Sequence, residues 1–364
     1  MMTKVLASPS HYIQGPGELL RINKHIARIH GPYLFVMGNH AMHFLKGIIE
    51  ESFLQSDRSL IFEKFNGECT KNEIHRLCEV FDNNHCKCVV GVGGGKTLDT
   101  AKGVAYFKGC PVISIPTIAS TDAPTSAISV TYTEDHVFDG NLILPRNPEI
   151  VLVDSEIIAQ APVRYLVAGM GDALSTYFEA RANVNSGHEN FVGGLSTNSS
   201  YGLAKLCYDI LIRDGLKAKQ SAEMNSCSKE LENVIEANIY LSGVGFESNG
   251  LACAHSIYNA MTALPQCHNR YHGELVAFGV IVQLVLENRP EYEIAEVIQF
   301  CMNVGLPVTF AELSDTPFDH DDLMKVADIA CSPINFMNSE PFDVTSTMVY
   351  DAMVQTNELG LKFR

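Results

Sequence analysis

The strongest constraint on how this chain can fold is a change of pattern near residue 160. Before it, short β-branched or aromatic runs (Tyr33–Met37, Leu60–Phe65, Cys88–Val92, Val112–Ile115 and Ile150–Val153) alternate with helix-compatible stretches such as Ala41–Phe53, Thr70–Asn83 and Thr97–Tyr106. Such alternation implies βαβ units and a parallel sheet with helices on its faces. Beyond the turn-rich Pro145-Arg146-Asn147-Pro148 and the strand after it, strand signals stop. Long helical stretches take over: Val163–Ala182, Ser199–Arg213, Ser221–Leu241, Leu275–Glu287 and Glu291–Val304. A chain of 364 residues exceeds the ~250–300 at which single cores stop growing. The expectation is an α/β domain over residues 1–160 followed by an all-α domain over residues 161–364.

Within the first part, Val89-Val90-Gly91-Val92-Gly93-Gly94-Gly95-Lys96-Thr97 breaks an apolar strand into glycines and restarts as a helix. Glycine lets such a turn reach positive φ and lets its amides close on phosphate oxygens at the positive end of the new helix. The two commonest glycine fingerprints are near misses. Walker A would need glycine at Val90, and G-x-G-x-x-G counted from Gly91 meets Lys96 where the third glycine belongs. A nucleotide turn and a tight turn without ligand both remain open on spacing alone. The loop after the next strand, Pro116-Thr117-Ile118-Ala119-Ser120-Thr121-Asp122-Ala123-Pro124-Thr125-Ser126, sets hydroxyls around one carboxylate. It is expected to face the same crevice, because ligands of open α/β sheets bind beyond the carboxyl ends of the strands. A solvated polar turn is the alternative.

In the helical part, Asp172, His255 and His272 each stand among small or apolar neighbours. Two imidazoles and one carboxylate suit a catalytic Zn²⁺ that keeps positions open for substrate. Plainer alternatives are hydrogen-bonded core histidines, Asp172 as a helix cap, and a separate helical pair of His268 and His272.

A net charge of −16 argues against nucleic acid or an anionic membrane surface as partner, and leaves a small molecule as the expected one. Eleven cysteines without C-x-x-C pairs fit thiols kept reduced in a cytosol. The first ten residues lack a signal-peptide pattern, and the apolar stretch Leu275 to Leu286 is too short to span a bilayer. A cytoplasmic protein is expected.

Five segments in order, Val90–Lys102, Ile115–Ser129, Gly171–Ala180, Ser242–His255 and His272–Gly279, together resemble the glycerol dehydrogenases of the iron-containing, or group III, alcohol dehydrogenase superfamily. The resemblance implies a Rossmann-like NAD-binding domain, a helical domain of dehydroquinate synthase-like architecture, and a metal-dependent active site in the cleft between them. By motif, Gly93, Gly94, Gly95 and Lys96 would lie against the pyrophosphate of NAD, with Asp99 supporting the turn. Thr117, Thr121, Ser126, Ile128 and Tyr132 would line the nicotinamide side. Asp172, His255 and His272 would hold the metal, Asp122 would hydrogen-bond a polyol, and Phe246 would wall the substrate pocket. His255 and Asp122 would thus touch the reacting alcohol. The resemblance also implies a homo-oligomer, an octamer being one form.

Departures from the family pattern refine these expectations. Iron-dependent members tend to carry a further His one turn after the ligand Asp; Thr176 stands there, which points to three protein ligands and to zinc. Where the family usually has an Asp that binds the adenosine ribose, this chain has Asn39, followed by His40, so weaker discrimination against NADP is expected. Tyr258 stands where His is frequent, and Leu275 where Lys is, which leaves the choice among vicinal diols open. Alternatives are a dehydrogenase of the same branch acting on another diol, an amino alcohol or a 2-hydroxy acid, and a glycerol-1-phosphate dehydrogenase, whose loop typically runs Ser-His-Asp-Gly. A dehydroquinate synthase-like lyase would need a cluster of cations, and Lys96, Lys102 and Arg270 are the few near these motifs. A nucleotide-binding protein without catalysis completes the set.

Overall fold

In the computed structural model, which describes residues 3–364, the five apolar runs of the first part become strands, and three strands outside those runs join them. The strands are β1 (His11–Gly15), β2 (Tyr33–Met37), β3 (Leu60–Lys64), β4 (Cys88–Gly93), β5 (Val112–Pro116), β6 (Ile128–Tyr132), β7 (Phe138–Ile143) and β8 (Ile150–Asp154). Six of them form one sheet in the order β1-β8-β5-β4-β2-β3, and every neighbouring pair is parallel. Both faces are covered. Tyr33, Phe35, Met37, Val90 and Val92 pack on one side, and Leu34, Val36, Val89, Ala101 and Val104 on the other. Burial on both faces is why these strands read as unbroken apolar runs.

β2 leads to β3 on one side of the sheet, whereas β4 leads to β5 on the other. The carboxyl ends of β2 and β4 therefore flank a switch point, the place where open α/β sheets bind ligands. Gly38 follows β2 and donates its amide to the Val92 carbonyl at 3.0 Å. That bond brings the start of the short helix Asn39–Phe44 beside the glycine turn.

The pattern of the second part is helical as expected, but the chain is not divided by a single cut. One compact unit contains residues 7–162 and 221–243, the other residues 3–6, 163–220 and 244–364. The expected boundary at 160/161 thus misses the return of residues 221–243 to the sheet-bearing unit. The single helix expected over Ser221–Leu241 is also interrupted. Asn198–Glu223 ends there, Asn225 takes a left-handed φ of 50°, and a new helix, Lys229–Glu236, starts where Ser228 Oγ accepts from Leu231 N. A π turn over Ala237–Leu241 follows, and Ser242–Asn249 continues as α-helix.

In the helical unit the helices Val163–Ser186, Cys253–Met261 and His272–Leu286 touch almost backbone to backbone. A Cβ on Gly273 would lie 1.7 Å from the Ala168 carbonyl oxygen, one on Gly171 2.2 Å from that of Gly273, and one on Gly279 2.5 Å from that of Ala254. Each of these small residues neighbours a candidate ligand or faces the helix that carries one. Among the described residues no helix is long and apolar enough to cross a membrane.

Candidate functional site

The close crossings bring Asp172, His255 and His272 together, although they lie far apart in sequence. One ligand atom from each falls within 4.8 Å of the others. His272 Nε2 is 2.9 Å and His255 Nε2 3.6 Å from Asp172 Oδ1. Asp172 is only 2% exposed, and its Oδ2 is buried with no hydrogen-bond partner. An unmet buried carboxylate oxygen is costly; a cation between it and the two imidazoles removes that cost. Burial opposes ionisation of Asp172, yet the neighbouring imidazoles of His272 and His255 outweigh it and hold the carboxyl well below its ordinary range. Burial likewise opposes the charged form of His255, but Glu179 and Asp172 outweigh it and raise the imidazole to about 10. The site therefore favours positive charge. One carboxylate and two imidazoles form the donor set of a catalytic divalent cation, a set of three that leaves the ion's remaining coordination positions to other ligands.

His272 opens its helix, whose start is fixed by Glu274 Oε2 accepting from Tyr271 N at 2.9 Å and by Arg164 on the same carboxylate. The alternative pair of His268 and His272 does not form: His268 is exposed and its Nε2 lies 3.1 Å from the Thr262 carbonyl. Tyr258 packs edge-on against His272, ring centroids 4.1 Å apart. Thr176 is buried one turn after Asp172, and a Cβ on Gly245 would strike its methyl group at 2.5 Å. Phe246 sits in an aromatic group, 6.0 Å from Phe191, which in turn lies 5.7 Å from Phe336. Leu275 is buried in the helical core, so its departure from the family's Lys does not alter the ligand cluster.

Glu179 was not among the sequence candidates. It stands seven residues after Asp172, two turns along the same helix, is fully buried, and places Oε2 2.7 Å from His255 Nδ1. The spacing was the available signal: an acid in an apolar helix, on the face of the ligand.

In the sheet-bearing unit, Gly93 ends β4 and Gly94 caps the helix Gly95–Lys108 with φ −83° and no capping side chain. The expected positive φ is absent; none of Gly93, Gly94 or Gly95 is left-handed. Their glycine character serves close approach instead. A Cβ on Gly93 would collide with Thr97 Oγ1 at 2.7 Å, and one on Gly94 would crowd Ile118 at 3.1 Å. The uncapped first turn leaves amides and a positive dipole end facing this glycine surface. Lys96 extends from it with its ammonium 2.5 Å from Glu68 Oε2 and 5.1 Å from the Tyr132 ring centre.

Asp99 and Lys102 are buried, against any direct role toward a ligand. Lys102 Nζ lies 2.7 Å from Asp99 Oδ1, donates to the Ala123 carbonyl at 2.9 Å, and also bonds that of Ile128. The pair supports the loop carrying Thr117, Thr121, Asp122 and Ser126. Arg270 is likewise spent, donating Nε to the Leu313 carbonyl at 2.9 Å.

The π turn holds the same loop from the other side. Asn238 Nδ2 donates to the Ala119 carbonyl at 3.0 Å, Thr125 Oγ1 to that of Ile239 at 2.7 Å, and Ser242 Oγ to Asp122 Oδ2 at 2.6 Å. This grip explains why residues 221–243 belong with the sheet. Asn39 is exposed at the start of its short helix, beside the glycine turn.

The profile of the family described as iron-containing alcohol dehydrogenase matches residues 9–155. Over 359 residues the chain is 46% identical to a glycerol dehydrogenase of Citrobacter freundii, covering 99% of this chain and 98% of that one. A glycolaldehyde reductase of Halobacterium salinarum is 41% identical over 363 residues, the full length of both chains. The crystal structure of a probable glycerol dehydrogenase from Sinorhizobium meliloti 1021 superimposes with a TM-score of 0.92 at 41% identity, covering 99% of this chain and 100% of that one.

Proposed function

Because the chain belongs to the glycerol dehydrogenases of the iron-containing alcohol dehydrogenase family, we propose that it oxidises glycerol at C2 to dihydroxyacetone with NAD, using zinc held by Asp172, His255 and His272. The observation that carries this is the convergence of those three side chains around a buried, unmet Asp172 oxygen in a chain 46% identical end to end to such an enzyme.

When bound, the divalent cation supplies Lewis acidity to the alcohol and NAD supplies the hydride acceptor. The chain supplies binding and orientation. Gly93 to Lys96 would present amides and one cation to the pyrophosphate, while Thr117, Thr121, Ser126, Ile128 and Tyr132 would border the nicotinamide. Asp122, fixed by Ser242, hydrogen-bonds the polyol, and Phe246 walls its pocket. The same donor set also suits Fe²⁺. Zinc is preferred because Thr176 stands where a fourth protein ligand would have to be, leaving a three-ligand set. The proposal includes a homo-oligomer and a cytoplasmic setting, where eleven cysteines stay as thiols.

A second reading, turnover of a small hydroxyaldehyde, is favoured by the full-length likeness to a glycolaldehyde reductase. One panel separates the two: NAD⁺ reduction with glycerol, 1,2-propanediol, 2,3-butanediol, 1-amino-2-propanol and 2-hydroxy acids, and NADH oxidation with glycolaldehyde. Glycerol is expected to give the highest kcat/KM, with activity lost to a chelator and restored by Zn²⁺. No turnover of any polyol sinks the proposal.

Asn39 makes a separate prediction. Asn39→Asp restores a carboxylate beside the adenosine ribose, and placing like charge against a 2′-phosphate costs several kcal/mol. The ratio of kcat/KM for NADP⁺ over NAD⁺ is expected to fall about 100-fold. An unchanged ratio in steady-state kinetics means that residue 39 does not read the ribose.

A further inference from the structure

The helix that carries His255, Cys253–Met261, begins without a side-chain cap of its own. Its first amides are met from other helices and from a loop. Ala252 N and His255 N both donate to Glu179 Oε1 at 2.9 Å, Cys253 N to Glu340 Oε1 at 3.2 Å, and Ala254 N to Gln283 Oε1 at 3.2 Å. Glu179 alone also reaches the imidazole, with Oε2 2.7 Å from Nδ1.

We propose that Glu179 is a positioning residue that fixes the proton of His255 on Nδ1 and so leaves Nε2 as the nitrogen available to a metal. The argument is one of donors and acceptors. Carboxylate oxygens accept, so the three nitrogens gathered around Glu179, Ala252 N, His255 N and His255 Nδ1, turn their N–H groups toward it. The ring then presents Nε2 on its far side, toward Asp172 at 3.6 Å. Histidine ligands commonly donate their second nitrogen to a carboxylate in this way, and losing that partner typically weakens metal binding 10–100-fold. Here the same carboxylate also anchors the helix, so ring orientation and helix position are set by a single group.

Glutamine at 179 separates these two tasks. Its carbonyl oxygen must stay with the two backbone amides, which have no other acceptor in this arrangement, and its NH₂ group then faces Nδ1. The ring has to accept there, which moves its proton to Nε2 and blocks the metal. Glu179→Gln is expected to keep the melting temperature of the metal-free protein within a few degrees while lowering Zn²⁺ affinity about 10–100-fold in chelator competition. Gln283→Leu removes an anchor from the same helix without touching the imidazole; it is expected to lower the melting temperature and leave Zn²⁺ affinity within about twofold.

This inference rests on the metal assignment above. Wild-type protein that binds no Zn²⁺ at Asp172, His255 and His272 ends that assignment itself. Wild-type protein that binds Zn²⁺ while E179Q binds it equally tightly overturns the role of Glu179 alone. Equal weakening by Q283L shows that helix anchoring, and not the imidazole contact, controls affinity, and overturns it too. Should E179Q fail to fold, nitrogen-15 NMR of histidine in the zinc-loaded wild type decides. Metal on Nε2 of His255 with a proton on Nδ1 is expected, and metal on Nδ1 refutes the proposal.

Discussion

Alanine at His255 or at His272 is expected to leave the protein folded but without bound metal, and to lower kcat/KM for glycerol by about 1,000-fold or more. The magnitude follows from the Lewis acidity lost, several kcal/mol of charge stabilisation, at tenfold in rate for each 1.36 kcal/mol. Either change leaves two protein ligands where three converge within 4.8 Å. Asp122→Asn is the contrasting variant. Its carbonyl still accepts from Ser242 Oγ, now 2.6 Å from Asp122 Oδ2, so metal content stays near one per chain. Losing the charge-assisted hydrogen bond proposed for Asp122 and the polyol, about 1.5–3 kcal/mol, is expected to raise KM for glycerol roughly 10–100-fold. Metal analysis of the purified variants checks both arms, and full zinc occupancy in both histidine variants contradicts the ligand assignment.

The second large effect is steric. In Gly273→Ala the new Cβ would lie 1.7 Å from the Ala168 carbonyl oxygen and 2.8 Å from Asp172 N. Neither neighbour is a side chain that can swing aside; both are backbone of the helix bearing a ligand. The helices must separate, which carries His272 away from Asp172. Overpacking a tight core costs about 1–3 kcal/mol and occasionally more, and a backbone collision this close belongs at or beyond the upper end. Thermal unfolding is expected to drop by roughly 6–12 °C, on a scale of about 2–4 °C per kcal/mol for domains of this size, together with loss of metal. Gly202→Ala is the control. It sits exposed within the helix Asn198–Glu223 with nothing within 4 Å of its added Cβ, and is expected to stabilise by about 0.5–1 kcal/mol through helix propensity alone. Equal behaviour of the two variants contradicts the close-crossing account.

What could be read from the sequence follows from where each signal resides. β2, β4, β5 and β8 are buried on both faces and wrote themselves as continuous apolar runs. β1, His11–Gly15, is a half-buried edge strand of mixed polarity, and the hairpin strand β7, Phe138–Ile143, is mostly exposed; neither carries a run to notice. The break at Asn225 is a left-handed turn inside a segment whose composition is helical throughout. For the site, Asp172, His255 and His272 were legible because polar ligand types stood among small residues, and those residues prove to be what lets the helices meet. Glu179 was hidden because the groups it binds lie 73 and 76 residues away, and only its spacing from Asp172 pointed to it. The glycine turn was recognised for a conformational freedom it does not use. Its glycines answer to Thr97 and Ile118 at contact distance, a tertiary constraint that local sequence does not display.

The grip of the π turn on the hydroxyl-rich loop shows the same limit. Asn238 and Ser242 reach partners at Ala119 and Asp122, more than a hundred residues earlier, so the structural role of residues 221–243 could emerge only from the fold. The departure at Leu275 illustrates the converse. A substitution that looked consequential within a motif falls in the helical core, while Tyr258, three residues after His255, packs directly on His272.

The most direct test is anomalous X-ray scattering at the zinc edge from crystals of the zinc-loaded protein. The account predicts one strong peak per chain, bonded to an Asp172 oxygen and to Nε2 of His255 and His272 at about 2.0–2.2 Å. An active enzyme whose only metal peak lies away from these three side chains contradicts it.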